Sequence, residues 1–99
     1  MTSNNTEKET LVFTLFIAGQ KRNSTLARRN LAQICQTHFA AHHKIIIVDI
    51  LQDFQAALDN GILVSPALRV ALPDSEITLV GDLSDTQNVL AALGAVVKE

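Results

Sequence analysis

The side chains of this 99-residue chain best suited to metal or redox chemistry are its one cysteine and its three histidines. Cys35, His38 and His42 recur at i, i+3 and i+7, a spacing that can bring all three to one helix face. Zinc takes at least three protein ligands in good geometry, and no second group of ligating residues accompanies these. We therefore predict no metal and no cofactor. The cysteine is interpreted as a small buried side chain, and the histidines as complements to the negative C-terminal end of a helix.

Four basic side chains, Lys21, Arg22, Arg28 and Arg29, offer a second kind of chemistry near the start of the same segment. They could bind an anion at a helix start, where backbone N–H groups lack partners. The alternative, a solvated helix face, is the favoured interpretation. The wider charge is lopsided, because residues 1–48 hold six basic and two acidic groups and the rest two basic and eight acidic. Such a dipole can orient a protein partner or a second copy, whereas the net acidity argues against nucleic acid.

The elements that must position these residues alternate between strand and helix. The first stretch is apolar nearly throughout, which is typical of a central strand covered on both faces. Asn23 or Ser24 can cap the helix that follows, and a capping box at residues 84–87 opens a last helix with a clean apolar stripe. The predicted strands are 11–18, 44–51, 67–72 and 76–80, the last two joined by a tight turn at 73–75, and the predicted helices are 23 or 24 to about 42, 53–60 and 84–97.

This order, βαβαββα with a proline before the third strand, is typical of an α/β domain with the thioredoxin-like fold. Pro66 stands where an X-Pro bond can be fixed in cis, so we predict a cis Ser65-Pro66 bond. Thioredoxin-type enzymes keep their chemistry where the first strand meets the first helix, and residues 18–24 contain no cysteine. Cys35 lies about 11 residues into the predicted helix, roughly 17 Å of helix rise away. We expect no enzymatic activity; the alternative is a divergent redox protein that uses Cys35.

Length and composition predict one small domain at residues 10–99, preceded by a flexible tail at 1–9. No apolar run approaches the ~20 residues that cross a bilayer, and the polar first stretch does not resemble a signal peptide. A single cysteine allows no internal disulfide, which fits a reducing compartment. We therefore expect a cytoplasmic protein that binds neither membrane nor nucleic acid.

The second predicted strand offers a binding surface that depends on topology alone. With right-handed crossovers, this strand falls at an edge of a four-stranded sheet. Its apolar run, Lys44 to Val48, is protected by a single lysine, and such an edge usually pairs with another strand. The strand of a partner or of a second subunit would cover it, giving self-association as one outcome. The alternative is that the N-terminal tail or a neighbouring loop lies across it.

Several segments between about Leu11 and Leu93 share one resemblance. They are Phe16-Ile17-Ala18-Gly19 with Asn23-Ser24, Ile47-Val48-Asp49-Ile50-Leu51, Ile62-Leu63-Val64-Ser65-Pro66-Ala67-Leu68, Leu72-Pro73 and Gly81-Asp82-Leu83-Ser84-Asp85. Together they resemble the KaiB family of bacterial clock proteins. The resemblance implies a non-enzymatic interaction module that binds the ring-shaped ATPase KaiC in a timing, signalling or stress-response pathway. It also implies a second possible fold, a tetrameric ground state in which the second half of the chain is refolded.

Departures from the family pattern sharpen these expectations. Gly61 and Ile46 stand where family members often carry lysines, and Ile77-Thr78 stands where they carry an arginine pair. Fewer ion pairs imply weaker and less salt-sensitive binding to a KaiC-like ATPase than that of clock KaiB proteins. Ala92, which favours helix, supports the thioredoxin-like fold over the ground-state fold. The residues predicted to bind a partner are Lys44, Ile46, Asn60, Gly61, Ser65, Pro66 and Arg69.

Overall fold

A computed structural model describes the chain at residues 10–40, 42–71 and 75–94. Its strands and helices follow one another in the predicted order βαβαββα, with ends that differ from the predicted ones by a few residues. The elements are β1 (Leu11–Ile17), α1 (Arg22–His38), β2 (His43–Asp49), α2 (Phe54–Asp59), β3 (Ala67–Ala71), β4 (Glu76–Val80) and α3 (Thr86–Gly94).

The four strands form one mixed sheet in the order β2-β1-β3-β4. β1 runs parallel to β2, whereas the β1–β3 and β3–β4 pairs are antiparallel. The predicted edge position of β2 is confirmed, and β4 forms the other edge. The Ser65-Pro66 bond is cis, as predicted. This is the thioredoxin-like fold rather than the alternative with a refolded second half, since residues 86–94 are helical.

Helices cover the two faces of the sheet unequally. α1 and α3 pack on one face, where Phe13, Leu31 and Leu93 are almost wholly buried. α2 packs on the other face, where Ala57 belongs to a smaller buried cluster with Phe16 and Ala67. Because α2 is only six residues long, it leaves part of that second face open to solvent.

The predicted cap of the first helix is wrong. α1 begins at Arg22, its N-cap is Lys21 in an extended conformation, and no side chain caps it. Ser24 is buried inside the first turn, and its Oγ accepts a hydrogen bond of 3.0 Å from the backbone N–H of Ala18. The Ser24 hydroxyl, which the local sequence pattern predicts as a helix cap, therefore binds the backbone N–H just after β1 instead. The helix also ends at His38, four residues before the predicted end at His42.

The last helix begins later than its capping box predicts. Asp85, not Ser84, caps it, because an Asp85 carboxylate oxygen accepts a 3.1 Å hydrogen bond from the Asn88 N–H. The N–H of Ser84 instead donates to the carboxylate of Asp82 in the preceding turn. Val89 and Leu93 of the predicted stripe are buried. The predicted tail at 1–9, most of the turn at 73–75 and the stripe residues Val96 and Val97 lie outside the described residues.

Candidate protein interface

The junction between β1 and α1 is held by hydrogen bonds and contains no cysteine. The backbone N–H of Gly19 donates to the Asp49 carboxylate over 3.0 Å, and the same oxygen accepts from the N–H of Leu51. Gly19 has a φ of 61°, and a Cβ there would lie 3.1 Å from the Leu51 side chain. One carboxylate thus ties the junction to the end of β2.

The single thiol lies far from this junction. Cys35 is fully buried beneath the sheet, 13 residues after the start of α1, or roughly 20 Å along the helix. Desolvation by burial raises its pKa to about 12, so the thiol stays protonated at neutral pH. Because the thiolate is the reactive form, Cys35 is a poor nucleophile.

The structure separates the residues that suggested a metal. Cys35 is buried, whereas His38 is exposed on α1 and His42 lies beyond the end of the helix. Among residues 10–40, 42–71 and 75–94, no three His, Cys, Asp or Glu side chains are grouped to hold an ion. His43, which the sequence analysis did not single out, lies with its Nδ1 2.7 Å from the carbonyl of Phe39 just after α1.

Two of the seven predicted partner-binding residues are in direct contact. The Arg69 Nη2 donates to the backbone carbonyl of Asn60 over 2.8 Å, and its Nε donates to the Thr78 hydroxyl over 3.3 Å. Arg69 also lies 3.7 Å from the carboxylate of Glu76. The guanidinium therefore fixes the end of α2 against β3 and β4, and its charge is used inside the domain.

The loop from Gly61 to Pro66 connects this clamp to β3. Gly61 is exposed with a φ of 68°, a conformation that favours glycine. Ser65 is half-buried, and Pro66 is buried with its carbonyl accepting a 3.0 Å hydrogen bond from the Gly81 N–H. Pro66 can therefore act on a partner only by shaping the loop, because both its ring and its carbonyl face inward.

Lys44 and Ile46 lie on the same face of the sheet as Arg69. The strand registers align Ile46 with Thr14 of β1, and Thr14 with Arg69 of β3. Two strand spacings, roughly 10 Å, separate the Ile46 and Arg69 backbones. The predicted residues thus form two patches on the α2 side, which we call the β2 edge (His43–Asp49) and the α2 patch (residues 51–64).

Sequence reasoning missed the apolar content of the α2 patch. Its helix buries the small Ala57 and turns larger side chains outward, so that Phe54 is 63% exposed and Leu58 49% exposed. In the following loop Leu63 is 87% exposed. Phe54 and Leu58 are one helical turn apart and share a face, a spacing that was visible in the sequence. Large exposed apolar groups of this kind mark interaction surfaces. The members are Leu51, Phe54, Leu58, Leu63 and Val64.

A polar cavity of about 280 Å³ lies at the other end of the sheet, between β4 and α3. Hydrogen bonds from Ser84 hold the pKa of the Asp82 carboxyl below its usual value. The side chain of Asn30 donates to the Asp82 carbonyl over 2.8 Å, which ties this turn to α1. These contacts are internal to the domain and fix the shape of the turn.

Fold and surface together define a class: a thioredoxin-fold domain that lacks a thiol at the β1–α1 junction and carries exposed apolar side chains beside its cis-proline. The N-terminal domain of Synechococcus elongatus SasA matches over 100% of this chain and 94% of that one, with a TM-score of 0.75 and 18% identity. The germline thioredoxin Deadhead of Drosophila melanogaster matches over 93% and 86%, with a TM-score of 0.72 and 9% identity.

Sequence comparison is more specific than the shared fold. The KaiB domain model matches residues 14–95. A circadian clock oscillator protein KaiB from a Picosynechococcus strain is 36% identical over 93% of this chain and 88% of its own length, and one from Acaryochloris marina is 35% identical over the same shares. The chain belongs to the KaiB family, which confirms the resemblance. None of the helices in the described residues is long and apolar enough to cross a membrane.

Proposed function

We propose that this chain is a non-enzymatic interaction module that docks on a KaiC-like ring ATPase in a timing, signalling or stress-response pathway. Family membership supports the kind of partner, because the relatives are named as circadian clock oscillator proteins. The observation that carries the proposal is the α2 patch, where Phe54, Leu58 and Leu63 leave most or about half of their surface in water. Burying such side chains contributes about 25 cal/mol per Å² of apolar area.

The patch is also held in place before any partner arrives. The Asp53 side chain caps α2 by accepting from the Ala56 N–H over 3.0 Å. At the other end of the helix, Arg69 holds the carbonyl of Asn60. A preformed surface loses less conformational entropy on binding than a mobile one, so more of its apolar burial appears as affinity.

Charge supports an apolar rather than an ionic mode of docking. Gly61 and Ile46 carry no charge at positions where the resemblance implies lysines, and Arg69 is already engaged with Glu76 and Asn60. Exposed ion pairs are screened by salt, whereas apolar contacts are not. We therefore expect affinity for the ATPase to change little with ionic strength.

The absence of enzyme activity is part of the proposal. Chemistry at the thioredoxin position would need a cysteine near Gly19, and Cys35 is buried with its pKa raised to about 12. We expect no disulfide reductase or peroxidase turnover from the purified protein. A measurable rate that Cys35→Ser abolishes would contradict this.

Calorimetric titration against the KaiC-like ATPases of the same genome tests the proposal. Leu63→Glu places a charge on the most exposed apolar side chain of the patch and should weaken binding at least about tenfold, or about 1.4 kcal/mol. Ala32→Glu, on the exposed side of α1 across the sheet, is the matched control and should bind normally. No binding by the unaltered protein, or equal loss in both variants, would remove the proposed partner or the proposed surface.

A further inference from the structure

The backbone of β4 alternates between groups that bind β3 and groups that point away from the sheet. The Gly81 N–H donates to the Pro66 carbonyl over 3.0 Å, so these two residues form a hydrogen-bonded pair at one end of the β3–β4 ladder. Hydrogen-bonded and non-hydrogen-bonded pairs alternate along antiparallel strands, which directs the N–H and C=O groups of Thr78 and Val80 outward. Within residues 10–40, 42–71 and 75–94, no backbone hydrogen bond from another element reaches these groups. In this part of the chain, β4 therefore keeps an open edge.

The polar cavity of about 280 Å³ lies directly beside this open edge. Thr78 and Val80 line it on the β4 side, and Asp82, Asp85 and Asn88 line it on the side of α3. A liquid water fills about 30 Å³, so the cavity has room for a long side chain. A strand paired with β4 would direct every second side chain toward the face of the sheet that α3 covers. An extended segment on β4 can therefore place a side chain in the cavity.

The charge of the cavity selects a basic side chain. Of the described residues that line it, Asp82 and Asp85 are charged and none is basic. Each carboxylate accepts a hydrogen bond from a neutral backbone N–H, that of Ser84 or Asn88, which leaves its negative charge in place. Hydrogen bonds from Ser84 and, more weakly, the charge of Arg22 lower the pKa of Asp82, and no described cation forms an ion pair with either carboxylate. A lysine or arginine in the cavity would supply that missing partner.

The opposite face of the open edge favours an apolar side chain. Val80 is 64% exposed there. β4 contains neither proline nor lysine, the residues that most often prevent pairing at an edge, and its Glu76 lies against Arg69. Side chains of a paired strand that face this way can cover Val80. Because the two faces alternate along a strand, a segment that fits both carries basic and apolar residues in turn.

We propose that the open edge of β4 and its cavity, which we call the β4 groove, bind an extended segment of another protein in which basic residues alternate with apolar ones. The segment adds a fifth strand to the sheet. Backbone hydrogen bonds to Thr78 and Val80 position it, and the cavity selects its basic side chain. The proposal is independent of the KaiC-like partner, since the groove lies between β4 and α3 whereas α2 packs on the other face.

Selection of random displayed peptides of about ten residues, long enough to cover an average strand, tests for the groove with the full chain as target and no ATPase present. We expect selected peptides in which Lys or Arg alternates with apolar residues. Val80→Pro should weaken their binding at least about tenfold, because proline removes the outward N–H and leaves the bonds to β3 intact. Val80→Thr keeps that N–H and is the matched control, which should bind within about twofold. Failure to select any peptide that distinguishes these two variants would overturn the proposal.

A second pair of variants tests the choice of charge. Asp85→Asn removes one charge from the cavity and keeps an acceptor for the Asn88 N–H, so the fold should be retained. It should weaken binding of the selected peptides about two- to fivefold, as expected for an exposed charge pair. Asp59→Asn removes the same charge from α2, away from the groove, and should bind normally. Equal weakening by both variants would show general attraction to an acidic protein and overturn the assignment to the groove.

Hydrogen exchange measured by NMR on the unaltered chain locates the contact without any substitution. Addition of a selected peptide should slow exchange of the Thr78 and Val80 N–H groups, because the added strand accepts hydrogen bonds from them. The N–H of Ile45, on the β2 edge, is the internal control and should exchange at its original rate. Protection of Ile45 without protection of Thr78 and Val80 would move the site to the other edge and overturn the proposal.

Discussion

The two edge strands of the sheet, β2 and β4, differ in length, in side-chain composition and in how their charged residues are paired. β4 is five residues long, alternates exposed and half-buried side chains, and its charged residue Glu76 lies against Arg69. β2 is seven residues long and apolar through its middle, and the charge of Lys44 has no acidic partner among the described residues. The charge on the β4 edge is thus engaged inside the domain, whereas the side chains of Lys44 and Ile46 on β2 remain exposed.

This difference separates stability from association. Substitutions that reach the contacts of β4 should destabilise the single chain, because those contacts are internal. Substitutions at the exposed β2 residues Lys44 and Ile46 should leave the single chain intact and change only what binds to it. The following predictions test this separation, and all unfolding measurements are made at protein concentrations low enough to keep the chain monomeric.

The largest effect on stability should come from a substitution in β1, which lies inside the sheet. Phe13 is fully buried in β1, with its ring centroid 5.6 Å from that of Phe39. Phe13→Ala should lower the free energy of unfolding by about 3–5 kcal/mol through lost burial and a cavity. Urea unfolding measures this. A cost below that of substitutions at either edge would show that the sheet centre does not carry the stability.

The next effect should distinguish the two edges directly. Arg69→Ala removes the hydrogen bonds to Asn60 and Thr78, and should cost about 1–2 kcal/mol of unfolding free energy. Lys44→Ala on the β2 edge should stay within about 0.5 kcal/mol of the original chain. Equal losses in the two variants would contradict the contrast between a charge engaged inside the domain and an exposed one.

A third test asks how the buried thiol of Cys35 contributes to the stability of the single chain. The folded-state pKa of Cys35 is raised from 9.0 to about 12, so its stabilising contribution is complete below pH 9 and is lost as pH rises through that interval. The original chain should lose roughly 1 kcal/mol more than Cys35→Ala between pH 8 and pH 10. If the unfolding free energies of the original chain and Cys35→Ala changed equally with pH, the thiol would ionise in the folded state with an unshifted pKa, contrary to this prediction.

The smallest effect on stability should come from substitutions at exposed side chains of the two edge strands. Ile46→Thr keeps a β-branched side chain on a partly exposed position and should change the unfolding free energy by less than about 0.5 kcal/mol. Val80→Thr on β4 should behave alike. A loss above 1 kcal/mol in Ile46→Thr alone would mean that the β2 edge packs inside its own chain.

Periodic patterns predicted the order of strands and helices, because elements that bury one face repeat apolar residues at fixed intervals. The crossover rule placed β2 at an edge, and the position of Pro66 before the third strand predicted the cis bond. Local rules failed where a distant group competed. Ser24 has the type of a helix cap, but the Ala18 N–H at the end of β1 binds its hydroxyl. Likewise, Asn60 and Arg69 were predicted as separate contacts for a partner, and only the folded sheet brings them to 2.8 Å.

The exposed apolar side chains of α2 were missed for a different physical reason. In a six-residue helix, burial depends on which side meets the sheet, and the small Ala57 fits against Phe16 where Phe54 would not. Composition marks Phe54 and Leu58 as core residues by default. Their exposure follows from the size of the space beneath the helix, which sequence alone does not give.

Asp49 places an evolutionary constraint on this interface. Its carboxylate holds the Gly19 and Leu51 N–H groups while its backbone ends the β2 edge. A lineage that exchanged it for a basic residue to acquire a new partner would also release the turn between β1 and α1. Asparagine, which keeps one acceptor oxygen, is the smallest permitted step. Sequence changes that alter partner choice should therefore occur first at Lys44 and Ile46, whose exposed side chains do not also hold a turn of the domain.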